Sequence, residues 1–332
     1  MKKAITLILL ASMFLACNNS KKEEVINRQK ILNEKASGIN NDFKKIRNEV
    51  GTLADKIANL YRNQDNILPT IDPEKYEMAE NGVLLKPIND GGSALFVSGY
   101  IPINEEIKKI AYFTEPIDSV FISMVNEYPE IVQLYYNDKY SLNRIYPYFD
   151  VLLQYEPKMD IPSFNFYYLA DAKHNPEKKS LWLSEPYVDP AGRGWMVSAI
   201  APVYFEDDLA GVAGIDVTIN MIAQRYLLDD PSSLTLIIDN TGVIVTAQER
   251  AITLLSFPPL FDHKYIETIK QDTYRKEQYN ISISKEANVR AFSVEILKNN
   301  KNQVPVEINH ENMTVISAHI PELNWYLLEI IK

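Results

Sequence analysis

The spacing of apolar residues changes character once along the chain. Between positions 32 and 60 they fall at Leu32, Ala36, Ile39, Phe43, Ile46, Val50, Leu53, Ile57 and Leu60. The steps alternate four and three, which is one face of a long helix. Gly38 and Gly51 each cost that helix about 1 kcal/mol relative to alanine. Its apolar stripe must therefore be covered, by the chain's own domain or by a second copy in a homodimer. Past "NILPTIDPEKY" the pattern shortens. "SALFVSGYIP", "IVQLYYND", "MVSAIAPVYF" and "LAGVAGIDVTI" are β-rich runs parted by turn residues. Between them "IKKIAYFTEPIDSVFISMVNEYP" and "IAQRYLLDD" read as helical. Two hairpins follow, "LTLIIDNTGVIVTA" turning at 239–242 and "VPVEINHENMTVISAHI" turning near 309–312. Tight turns with few crossover helices predict mainly antiparallel sheets. The expected fold class is α+β: a long N-terminal helix over 25–68, one domain over 69–230 and a second over 231–332.

The N-terminus changes the picture of where such a chain works. "MKKAITLILLASMFLAC" has a basic start and an apolar stretch too short to span a membrane, which is the make-up of a secretory signal. Leu15-Ala16-Cys17 resembles a bacterial lipobox. That resemblance implies that residues 1–16 are removed, that Cys17 carries lipid such as palmitate, and that 17–24 form a polar tether. Cys17 is the only cysteine, so no intramolecular disulfide can form, and a bare exported thiol would be a liability. The other reading is a cleaved signal with an incidental cysteine. The expected location is the cell envelope, on the periplasmic face or the outer surface. The Lys-Glu-Glu run after Cys17 resembles a surface-export signal and reads equally as a solvated linker.

Charge narrows the partners. The chain holds 34 basic and 44 acidic residues, a net charge of −10. Loss of Lys2 and Lys3 with the signal leaves 32 against 44, or −12. Such a surface argues against nucleic acid and against docking on anionic lipid. No later stretch offers about eighteen uncharged apolar residues, and no output module is expected beyond Lys332. The expectation is a relay to a separate membrane sensor or transporter.

Catalytic motifs are missing from the text. His174, His263, His310 and His319 show no metal-ligand spacing. There is no Gly-x-Ser-x-Gly elbow and no glycine-rich phosphate loop. Gly91-Gly92-Ser93 reads as a turn, and Asp207-Asp208 as the tip of a hairpin. No enzyme activity, cofactor or metal site is expected.

The segment "LWLSEPYVDPAGRGWMVSAIAPVYFEDDLAGVAGIDVTI" is similar to the distal half of double Cache domains, which are tandem PAS-like sensors on the outside of bacterial chemoreceptors and kinases. Trp182, Pro186, Tyr187 and Asp189 form one matching block, and the run from Gly211 to Asp216 forms the other. The resemblance implies a long helix, a membrane-distal ligand-binding domain and a smaller proximal one, in the order already expected. It also implies that Tyr187, Asp189 and Asp216 hold a ligand's amino group. Carboxylates suit that task, because an ammonium has three donors to satisfy and no acceptor. Trp182, Tyr167 and Tyr168 would supply the apolar frame. The resembling pattern carries an upstream arginine for the ligand's carboxylate. Here "PSFNFYYLADA" puts Phe164 at that place, and Arg144 is the candidate substitute or else a surface residue. The ligand is then an amino acid or a biogenic amine.

Plainer readings stand beside these. Asp189 opens Asp-Pro-Ala-Gly and can bond its own turn. Asp216 alternates between Ile215 and Val217 and can point to solvent. At the level of the whole protein, the alternatives are a transporter's substrate-binding protein or a structural surface lipoprotein with no small ligand. The first of these expects repeated strand–helix alternation and parallel sheets, which the sequence lacks.

Overall fold

The computed structural model describes the backbone of residues 2–230, 232–259 and 276–332, and side chains within these from residue 21 onward, those of 276 and 277 apart. The side chain of Cys17 and the expected signal sequence lie outside the described side chains, and His263 lies outside the described residues. The first helix, α1, runs Lys2–Arg62. A short helix Gln64–Ile67 and a 3-10 turn Leu68–Thr70 follow it. Arg62 in the last turn of α1 complements the helix dipole. The stripe from Leu32 to Ile57 is buried by the chain itself, and Val50, Leu53 and Ile57 are wholly inaccessible. A homodimer through this stripe is therefore excluded by packing, and a second copy would have to use another face.

Among the described residues the chain divides into two units, one made of Asp42–Ile222 and the other of the helix up to Asn41 together with 223–259 and 276–332. The expected boundary lay eight residues later. Gln248 moves it, by donating to the carbonyls of Leu227 and Asp230 and tying the chain after 222 to the second unit.

The first unit is built on eight strands: β1 (Glu77–Met78), β2 (Leu84–Leu85), β3 (Ala94–Val97), β4 (Gln133–Asp138), β5 (Leu142–Tyr146), β6 (Leu181–Val188), β7 (Trp195–Phe205) and β8 (Asp208–Thr218). Their order is β1-β2-β3-β5-β4-β8-β7-β6, and every neighbouring pair is antiparallel. β6 was not legible as a strand. Pro186 and a register irregularity between Leu183 and Tyr187 interrupt its alternation, and both are tolerated because β6 is the last strand in the sheet's order.

One face of this sheet packs on α1. Phe43 meets Trp182 edge to face at 5.1 Å, and the Tyr61 and Tyr136 hydroxyls bond at 2.6 Å. A Cβ on Gly51 would stand 2.9 Å from Ser180 Oγ, so the glycine that weakens α1 also lets it approach the sheet. The other face is covered by the segment 146–170. There Val151, Ile161, Phe166 and Ala170 pack against Phe96, Tyr135 and Ile145 in one apolar core.

The second unit has a five-stranded antiparallel sheet: β9 (Thr235–Asp239), β10 (Ile244–Ala247), β11 (Gln303–Ile308), β12 (Glu311–Ile320) and β13 (Trp325–Ile331), in the order β10-β9-β13-β12-β11. Asn309 and His310 turn between β11 and β12 with φ of 52° and 64°, the left-handed pair that a two-residue hairpin requires. Trp325 is buried here as an ordinary core aromatic. The architecture is α+β, a long helix followed by two antiparallel sheets. Among the described residues no helix is long and apolar enough to cross a membrane.

Candidate functional site

In the first unit, β4, β8 and β7 lie side by side, and their register sets Gln133 opposite Asp216 and Asp216 opposite Ser198. Three polar side chains thus form one row across the sheet, on the face away from α1. Asp216 is wholly buried, so the solvent-facing reading of its alternation is corrected. Its carboxylate accepts a hydrogen bond from Ser198 Oγ and one from Gln133 Nε2 at 2.5 Å. The same Gln133 nitrogen stands 3.3 Å from Asp189 Oδ1. One amide therefore links two buried acids, while its Oε1 is buried without a partner.

Asp189 follows β6 and is 4% exposed. It accepts from the Ala191 amide at 2.9 Å and the Arg193 amide at 3.1 Å. The two readings of this residue are compatible, because the carboxylate holds its own loop and lines a cavity together.

Burial pushes the Asp216 carboxyl up to about 7, and the negative charge of Asp189 adds to the rise. The hydrogen bonds from Ser198 and Gln133 pull the other way. Asp189 is raised for the same first reason, against the loop amides and Gln133. The Arg193 guanidinium lowers both acids, but it donates to the carbonyls of Val132 and Pro147 at 3.0 Å each. Two acids taken from water with no cation bonded to them are costly when ionised.

The cavity beside them encloses about 360 Å³, counting its open mouth. Much of that volume is open mouth, so the enclosed space is well below the usual size of a ligand site. Tyr187 lines it, with its hydroxyl 2.6 Å from Ser198 Oγ and its ring 6.1 Å from Phe166. Phe166 stands edge-on to Tyr135 at 6.0 Å. Tyr135 can cross β8 because its partner there is Gly214, where a Cβ would fall 1.9 Å from the ring. Farther along, Asn143 donates to Asn137 at 2.7 Å and accepts from the Tyr155 hydroxyl at 3.3 Å.

Tyr187, Asp189 and Asp216 thus share one cavity wall, and the remaining candidates lie elsewhere. Trp182 is on the α1 face of the sheet, against Phe43. Tyr167 is buried in the core beside the cavity but is not part of its wall, where Phe166 stands instead. Tyr168 is 38% exposed against the His174 ring. Arg144 is neither a pocket residue nor a surface residue. On β5 the cavity takes Asn143 and Ile145, so alternation turns Arg144 to the other side. There it is fully buried and donates to Thr114, Ser93, Tyr76 and the Ala111 carbonyl.

Gln133, Tyr135, Asn137, Asn143, Tyr155 and Ser198 were missed. For β4 a signal existed, since alternation in "IVQLYYND" sets Gln133, Tyr135 and Asn137 on one face. The segment 146–170, which completes the wall, has no periodicity to read.

No family model and no curated protein matches the chain. Solved structures do. The extracellular domain of a putative histidine kinase, soHK1S-Z6, superposes with a TM-score of 0.55 at 13% identity, covering 94% of this chain and 94% of its own. The ligand-binding domain of the Pseudomonas fluorescens chemoreceptor CtaA, solved with L-serine, gives 0.50 at 14%, covering 94% and 98%. The sensory domain of the Campylobacter jejuni chemoreceptor Tlp3, solved with isoleucine, gives 0.50 at 14%, covering 93% and 94%. At these identities the likeness is one of fold.

Proposed function

We propose that this chain, which has the double Cache fold of extracellular sensor domains, is an exported lipoprotein that captures a small amine-bearing metabolite and relays to a separate membrane partner. The amine is an amino acid or a biogenic amine. The two buried acids joined by Gln133 carry this reading. An ammonium needs three acceptors. Asp189, Asp216 and the unpartnered Gln133 Oε1 supply three acceptor groups at one place. A cation there also relieves the two carboxylates of their uncompensated burial, and the rings of Tyr187, Tyr135 and Phe166 present faces for cation–π contact. The anchor rests on the sequence Leu15-Ala16-Cys17 and is tested apart from the site. Cys17→Ser should leave the membrane fraction.

A thermal-shift panel of amino acids, amines, carboxylates and purines tests the site. At a hundredfold excess over Kd a ligand adds about 2.7 kcal/mol of stability, a rise of about 5–11 °C for domains of this size. Stabilisation by amine-bearing compounds, lost in Asp216→Asn, is the expected result. Stabilisation by carboxylates alone, or by nothing while the protein stays folded, would refute amine capture.

A further inference from the structure

We infer that the ligand of this cavity is a monoamine that carries no carboxylate, and that the site rejects α-amino acids by leaving their carboxylate unpaired. This rests on amine capture at Asp189 and Asp216 and narrows it to one chemical class. Among the described residues of the cavity wall the charged groups are these two acids, and none is Lys, Arg or His. A zwitterion would bring a third carboxylate into a space that already buries two, and an unpaired buried charge is far costlier than an unpaired dipole.

Two arginines could in principle supply the counter-charge, and both are committed. Arg144 is turned to the opposite face of the sheet, with donors given to Thr114, Ser93, Tyr76 and Ala111. Arg193 is not part of the wall, and its two terminal nitrogens hold the carbonyls of Val132 and Pro147. To clamp a ligand it would have to release both.

A second ammonium is disfavoured by the same geometry. Both acids sit at one end, within reach of a single amide nitrogen. Asn137 is four residues along β4 from Gln133, about 13 Å, and with Asn143 it makes that end neutral. The wall between is apolar or aromatic, with Ile145, Ile161 and Phe166. One cation at the acids, an apolar body and a neutral polar tip describe what fits.

Titration calorimetry on the full chain in detergent, with matched pairs, tests this. The amines are ethanolamine, isoamylamine and tyramine, and the amino acids are serine, leucine and tyrosine. Leucinamide and tyrosinamide keep the ammonium and the bulk while removing the negative charge. The expected result is that at least one amine binds on the order of tenfold or more tighter than its amino acid, with its amide close to the amine. An amino acid that binds as well as its amine would overturn the inference and leave amine capture standing. Loss of that binding in Arg193→Gln would then locate the clamp. An amide as weak as its amino acid would also overturn it, since exclusion would then be by size. Silence from all eight compounds, with the thermal melt intact, would defeat amine capture and this inference with it.

Discussion

Asn143 and Arg144 are neighbours on β5 and look out on opposite sides of one sheet. Behind Arg144 lies a cluster in which buried positive charge is balanced by nearby carboxylates, although Asp118 Oδ1 there also lacks a hydrogen bond. The guanidinium meets two hydroxyls, a phenol and a carbonyl, and Asp118 stands 3.9 Å away. Lys86 in the same cluster pairs with Asp90 at 2.8 Å. On the Asn143 side the buried charges are all of one sign, and the single amide that joins them keeps an acceptor unused. Arg144 and Asp216 are themselves equally buried, so burial of the central group does not distinguish the two clusters. Balance does: where every charge already has its partner the cluster holds the fold, and where one partner is missing it can take a ligand.

That contrast breaks most visibly at Arg144. Arg144→Leu strips the positive charge from a buried ionic cluster and should cost about 3–5 kcal/mol, read as a lower denaturation midpoint whether or not an amine is present. A folded variant of unchanged stability would mean that the cluster contributes nothing. Asp216→Asn should act in the opposite sense. It removes a carboxyl whose ionisation is disfavoured by burial, so the empty protein should melt higher at pH 8 while amine binding falls by about tenfold or more. A variant that melts lower and still binds would assign Asp216 to the structural class with Arg144.

Tyr187→Phe comes next in size. It removes the 2.6 Å bond to Ser198 Oγ and keeps the ring, for a loss of about 1 kcal/mol of stability, read from the denaturation midpoint. The pH dependence of the empty protein sharpens the comparison further. Asp216 and Asp138 are both raised to about 7 by burial, so each holds a proton in the fold that it would release when unfolded. Stability should therefore fall as pH rises from about 4 to about 7. Asp216→Asn should make the slope of melting temperature against pH shallower, and Asp138, raised for the same reason, accounts for part of what stays.

The regular parts of this fold were readable because they repeat. The four-three steps from Leu32 onward identified α1, and the Asp239 to Gly242 turn identified the β9–β10 hairpin. The acids were readable as a resemblance and not as geometry. Asp216 between Ile215 and Val217 looks the same whether its face meets water or a covering segment, and 146–170, which decides the matter, carries no period. Trp182 and Arg144 were misplaced for a related reason. Alternation shows that neighbours face opposite ways, and it takes the register with β7 and β4 to say which way is inward. Gln133 was hidden by its setting, a polar residue at the start of a buried strand whose role appears only once Asp216 stands opposite.

In the proposed function Asp216, raised by burial, exchanges part of a proton for the cation it takes up. Proton release on amine binding tests it most directly, by calorimetry near pH 6 in buffers of different ionisation enthalpy, using whichever of the three amines binds. Part of a proton should leave per amine bound, the release should fade by about pH 8.5 as Asp216 empties on its own, and Asp216→Asn should abolish it. Binding with no proton exchange at pH 6, or with proton uptake, would contradict it.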